Sequence, residues 1–144
     1  MAAETVATFG CEPRNRRRKL GKISRAKVKE IAEVKLKDLN AALRKLGENY
    51  NGFLAVTDGP DGVYWLDASE VRHMAAFKVN AIDTLGAGDT FHGAFALHLV
   101  ETGDVVASMR FAAAAAAIKC TRFGGLMGAP SRAEVDDFLM RHPG

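Results

Sequence analysis

The chain of 144 residues carries 20 Lys/Arg against 17 Asp/Glu and is 48% hydrophobic, enough apolar content for one core of ordinary size rather than two full domains. It contains no uncharged apolar run of about 18 residues and no apolar N-terminal stretch ending in a small-residue cleavage site, so neither a membrane span nor a secretory signal is expected and the expected compartment is the cytoplasm. Cys11 and Cys120 show neither Cys-x-x-Cys nor Cys/His spacing, which argues against a disulfide framework or a structural zinc site and predicts two reduced thiols.

The net charge of +3 is unevenly placed. Residues 1–37 hold eleven Lys/Arg against four acids, whereas residues 38–144 hold nine against thirteen. Residues 1–23 lack sustained periodicity and are expected to form a basic, poorly ordered segment, with residues 24–144 as the folded part. The densest stretch, Arg14-Asn15-Arg16-Arg17-Arg18-Lys19, reads either as a solvated tail or as a patch for nucleic acid or an acidic partner. Only Phe9 lies near it, so the stacking platforms that single-stranded nucleic acid requires are missing, and nucleic acid is not the expected partner.

Ser24 can cap a helix whose apolar positions Val28, Ile31, Ala32, Leu36, Leu39, Leu43 and Leu46 recur at three- and four-residue steps, with Gly47 as its stop. Phe53-Leu54-Ala55-Val56-Thr57 predicts a buried strand, paired as a hairpin with Val63-Tyr64-Trp65-Leu66 through the turn Asp58-Gly59-Pro60-Asp61-Gly62. A third strand is expected around residues 75–79, then a glycine-rich loop and an apolar helix from about Asp89 to Glu101, closed by Gly103. Residues 105–119, with six consecutive alanines from Ala112 to Ala117, have the highest helix propensity in the chain. Their small side chains suit either close helix packing or the flank of a flat ligand. After Gly124, Gly125, Gly128 and Pro130, the run Ser131-Arg132-Ala133-Glu134 matches a capping box for a last helix.

The chemistry concentrates in Gly86-Ala87-Gly88-Asp89. Backbone N–H groups in a helix's first turn have no partner within the helix, and with the positive end of the helix dipole they form a site for anionic oxygens, phosphate above all. Glycine lets the backbone approach such a ligand, and Asp89 places a carboxylate beside it. An aspartate of ordinary pKa, about 4, is ionised at neutral pH and can accept a proton from a hydroxyl as phosphate is transferred to it. From these four residues alone, Asp89 could equally be a helix cap and the glycines a tight turn. Neither a Walker A loop nor Gly-x-Gly-x-x-Gly is present. His92 reads as a second acid/base group or a structural histidine, and Lys119 and Arg122 as phosphate partners or solvated cations at a helix end. Tyr64 and Trp65 read as hairpin packing.

The longer string Asp83-Thr84-Leu85-Gly86-Ala87-Gly88-Asp89-Thr90-Phe91-His92-Gly93-Ala94-Phe95-Ala96 resembles the second signature of the ribokinase/PfkB carbohydrate kinases. Thr57-x-Gly59-x-x-Gly62-Val63 is similar to that family's nucleotide-contacting turn, and Cys120-Thr121-Arg122-Phe123-Gly124-Gly125 through Pro130 to its later loop, so the resemblance covers roughly residues 36–141. Within the family, the Cys-Thr-Arg-x-Gly-Gly stretch of that loop resembles ketose-kinase-like and sulfofructose-kinase-like members, a faint preference among its substrate classes.

The resemblance implies the C-terminal part of an α/β three-layer sandwich of the ribokinase-like type, acting as an ATP-dependent sugar kinase on Mg-ATP and a small sugar. It implies Asp89 as catalytic base, the amides of Gly86, Ala87 and Gly88 as anion hole, and Thr57, Gly59, Gly62 and Ala112 at the nucleotide. It further implies a monovalent cation, potassium (K+), near Asp83 with backbone groups of Leu85, Arg122 and Gly124; Gly128 departs from ribokinase, which has a side-chain ligand there. Family members are considerably longer, so the chain reads as truncated, with an inactive nucleotide-binding remnant as the alternative. An incomplete sheet would expose apolar faces and favour a homodimer.

Overall fold

The computed structural model describes residues 5–9, 20–24, 39–49 and 52–143. The arginine-rich run, Cys11 and residues 25–38 of the first expected helix lie outside the described residues. Contacts divide the chain into two compact units, residues 3–73 and residues 74–144.

The first unit is built on a five-stranded sheet in the order β2-β1-β3-β4-β5, comprising β1 (Thr5–Phe9), β2 (Leu20–Ser24), β3 (Phe53–Thr57), β4 (Val63–Asp67) and β5 (Glu70–Met74). β1 runs antiparallel to both β2 and β3, with Val6 opposite Val56 and Phe9 opposite Phe53. The expected hairpin forms, with Ala55 opposite Trp65 and Thr57 opposite Val63. Helix α1 (Leu39–Gly47) ends at the predicted glycine and lays Ala42, Leu43 and Leu46 on Leu54 and Val56, flanked by Tyr64, Leu66 and Val71. Strand alternation sends Ala55, Val63 and Trp65 to the other face, where they too are buried, in keeping with the nearly unbroken apolar runs of β3 and β4.

The third strand lies at Glu70–Met74 rather than at residues 75–79, which form no regular element. β5 is an edge strand with mostly exposed side chains, and Arg72 pairs there with Asp67 and Glu70. A charged edge strand has no apolar alternation to announce it. The apolar run that does announce itself contains Phe77, which packs edge-on against Phe138 with 5.2 Å between ring centres.

The second unit is helical: α2 (Ala87–Thr102), α3 (Val105–Cys120) and α4 (Arg132–Arg141). α2 and α3 pack along their lengths, and the alanine run is packing surface, with Ala112, Ala113, Ala114, Ala115 and Ala117 buried alongside Met109, Phe111 and Ile118. Val135 and Phe138 of α4 close this core over Phe111 and Ile118. Gly103 ends α2, its amide donating to the Leu99 carbonyl, and Asp104 opens α3 by accepting the Ala107 amide at 2.9 Å. His98 stacks on Phe111 and bonds Ser108, fixing the same corner. At the head of α4, Glu134 accepts from both the amide and the hydroxyl of Ser131, the predicted reach-back of a capping box. Among the described residues, no helix is long and apolar enough to cross a membrane.

Candidate functional site

The segment from Asp83 to Asp89 leads into α2 through Gly86, which adopts the left-handed conformation at φ 79°. A Cβ there would be strained by that φ and would stand 3.4 Å from the Gly125 carbonyl carbon. Glycine is therefore what lets the backbone take this turn without strain, beside the later loop. α2 begins at the next residue, placing Gly88 and Asp89 in its first turn, with Asp89 exposed. The Ala87 amide donates to the Thr84 carbonyl at 3.2 Å, so one of the three expected anion-hole donors already holds the turn together. Thr90 Oγ1, next in sequence after Asp89, is buried without a hydrogen-bond partner among the described residues.

Asp83 organises the turn from behind. Its Oδ1 accepts the Leu85 amide at 2.9 Å, and Oδ2 accepts the Gly124 amide at 3.1 Å and the Gly125 amide at 3.5 Å. Lys119, fully buried near the end of α3, brings Nζ to 3.2 Å from Asp83 Oδ2. The same ammonium donates to the carbonyls of Asp83 at 2.8 Å and Arg122 at 3.3 Å. Hydrogen bonding from Leu85 first, then from Lys119, lowers the Asp83 carboxyl from its ordinary value to about 2. Cys120 adds its carbonyl, which accepts the amides of Ile82 and Asp83, and burial pushes its thiol up.

The remaining candidates fall into distinct places. Lys119 is neither solvated nor aimed at a ligand, because Asp83 and two carbonyls take its head. Arg122 turns the other way, to Glu134 at 2.6 Å, and ties the loop to α4. A surface hollow of about 350 Å³ opens beside that pair, lined in part by Thr121, Glu134 and Arg141, and includes none of the glycine turn. His92 donates from Nδ1 to the Gly88 carbonyl one turn back, 2.5 Å away, and packs edge-on to Phe91, a structural engagement. Ala112 is fully buried in α3.

Thr57, Gly59 and Gly62 belong to the first unit. There the hairpin turn is a short 3-10 helix, Gly59–Asp61, closed by the Asp58 amide donating to the Gly62 carbonyl at 2.8 Å. Gly59 at φ 53° and Gly62 at φ 102° both take conformations that disfavour a Cβ, which accounts for the spacing of the two glycines.

An α/β chain that leads through a left-handed glycine into a helix start, backed by an alanine-rich helix, has the fold of the C-terminal part of a ribokinase-like three-layer sandwich. Solved structures agree. A ribokinase described as putative, from Agrobacterium tumefaciens, matches with a TM-score of 0.72 at 38% identity, covering 81% of this chain and 39% of that one. Ribokinase from Thermotoga maritima matches with a TM-score of 0.70 at 34% identity, covering 81% and 40%. In sequence, a deoxyribokinase of Salmonella typhi is 39% identical over 101 residues, which are 70% of this chain and 33% of that protein. A ribokinase of Bacillus subtilis is 41% identical over 90 residues, 62% of this chain and 31% of that protein. The family model described as pfkB family carbohydrate kinase matches residues 20–132, and the chain belongs to that family. It spans about a third of the length of the curated relatives it matches.

Proposed function

We propose that this chain supplies the nucleotide-binding and catalytic portion of a cytoplasmic, ATP-dependent carbohydrate kinase that transfers the γ-phosphate of Mg-ATP to a sugar hydroxyl. The observation that carries the reading is the exposed Asp89 carboxylate in the first turn of α2, three residues after left-handed Gly86, at the helix end where an anion is favoured. Phosphoryl transfer asks the protein chiefly to align a hydroxyl, take its proton and neutralise charge on the transferred group. In this reading Asp89 takes the proton. The amides of Gly86 and Gly88 receive the γ-phosphate oxygens, and the Ala87 amide joins them by exchanging its bond to Thr84.

Thr57, Gly59 and Gly62 would meet the ribose and phosphates of the nucleotide. Ala112 would border adenine through the helix it stands on, since its own methyl is buried. Magnesium would enter on the phosphates of ATP. Leu85, Phe123, Leu126 and Met127 expose much of their apolar surface around the turn and the later loop, and a second copy of the chain is one partner that would cover it.

The test is ATP-dependent phosphorylation across ribose, deoxyribose, fructose, 2-keto-3-deoxygluconate and nucleosides, with ATP binding measured in parallel by calorimetry. Phosphorylated sugar is the expected product. Binding of ATP without any phosphorylated sugar would instead identify a nucleotide-binding protein without turnover, and absence of binding overturns the reading altogether.

A further inference from the structure

The residues that the resemblance assigns to a monovalent cation do not fit one in this structure. Asp83 Oδ1 is bonded to the Leu85 amide and Oδ2 to the Gly124 amide, so at both residues the backbone presents N–H to the carboxylate. The Asp83 and Arg122 carbonyl oxygens, which could face an ion, are taken by Lys119 Nζ at 2.8 and 3.3 Å. An ammonium group has three donors, and Asp83 Oδ2 at 3.2 Å accounts for the third. Gly128 closes the same spot, for a Cβ there would stand 3.2 Å from the Arg122 Cβ and the Phe123 carbonyl oxygen, and 3.4 Å from the Arg122 carbonyl oxygen. Glycine supplies no side-chain ligand, and any side chain at that position would have to push these neighbours back by a few tenths of an ångström.

We propose that the Lys119 ammonium is a built-in cation that holds the Asp83–Gly88 turn against the Arg122–Gly125 loop, making this chain independent of added potassium. Ammonium and potassium share a charge and are similar in radius, so one can replace the other among carbonyl and carboxylate oxygens. The difference lies in tethering. A dissolved ion occupies its site according to its concentration, whereas Lys119 is delivered by α3 and buried with it. The surroundings suit a cation permanently in place: one carboxylate oxygen and two carbonyls converge on Nζ, and the carboxylate is oriented by backbone amides on both strands of the turn-loop contact. Lys119 is thus a positioning residue. It fixes the backbone that presents Gly86 and Gly88, and its significance for phosphate binding rests on the kinase reading, while its role in holding the two segments together does not.

Thermal unfolding in sodium, potassium, ammonium and choline chloride at one ionic strength tests this. The wild-type chain should melt at the same temperature in all four. Lys119→Ala, which clears space as well as charge, should lose several degrees and regain them saturably in potassium or ammonium but not in choline. Lys119→Met keeps the stem without the charge and should be destabilised in every salt. A saturable, potassium-specific stabilisation of the wild-type chain overturns the proposal even if neither variant folds, and so does a folded Lys119→Ala that responds to no cation. Failure to bind or use ATP would count against the kinase reading alone, because melting requires neither.

Discussion

A Cβ added to Gly86 would meet the backbone of Gly125 at 3.4 Å, so the turn that opens α2 and the loop that follows α3 are in contact through a position where only hydrogen now stands. Gly86→Ala should cost about 1–2 kcal/mol from the left-handed backbone, the added methyl meeting Gly125 at no more than ordinary contact distance. Denaturant unfolding will read the stability loss, and calorimetry with ATP should show affinity falling with it.

Asp89→Asn separates the two jobs assigned to the helix start. The amide side chain keeps the shape and cannot take a proton at neutral pH, so phosphoryl transfer should fall by on the order of 10²–10⁴-fold while ATP binding is retained. Near-normal turnover in this variant would remove Asp89 from the role of base.

Strong acid should loosen the loop by protonating the two carboxylates that tie it down. Asp83 is lowered from 3.8 to about 2 by Leu85 and Lys119, and Glu134 from 4.5 to about 2 by Arg122 and Ser131. In both cases the folded value lies below the unfolded one, so the contribution is complete above the unfolded pKa and is lost as pH falls through the folded one. Urea midpoints should therefore decline between about pH 4.5 and pH 2, and the decline should be shallower in Asp83→Asn and Glu134→Gln.

Gly93 offers the opposite sign. It is exposed within α2, and a Cβ there would meet nothing within 4 Å. Gly93→Ala should stabilise the chain by about 0.5–1 kcal/mol through helix propensity and reduced freedom of the unfolded chain. An unchanged or lower unfolding midpoint would point to an unseen cost at that position.

Most of the second unit was legible because its signals are local. Gly103 and Asp104 mark a helix stop and start, Ser131 and Glu134 a cap, and an alanine run needs no distant partner to be helical. The hairpin of β3 and β4 was legible for the same reason, its turn glycines and apolar runs lying next to each other. β1 and β2 fall largely within a stretch that showed no sustained periodicity, and β5 carries charge at a sheet edge, so each owes its strand geometry to neighbours rather than to its own pattern. Within the site, the glycine turn and Asp89 could be located in sequence. The pairing of Lys119 with Asp83 could not, since 36 residues separate them and only the packing of α3 decides where the ammonium arrives.

The bonds from Gly124 and Gly125 to Asp83 also set a clock on the loop. Surface glycine amides normally surrender their hydrogens to solvent quickly, yet these two are lodged on a carboxylate whose other contacts are a buried ammonium and the Leu85 amide. In deuterated water they should exchange with the slow rhythm of the α3 core rather than that of an exposed bend, so that exposed Gly124 and half-buried Gly125 report on the integrity of the interior.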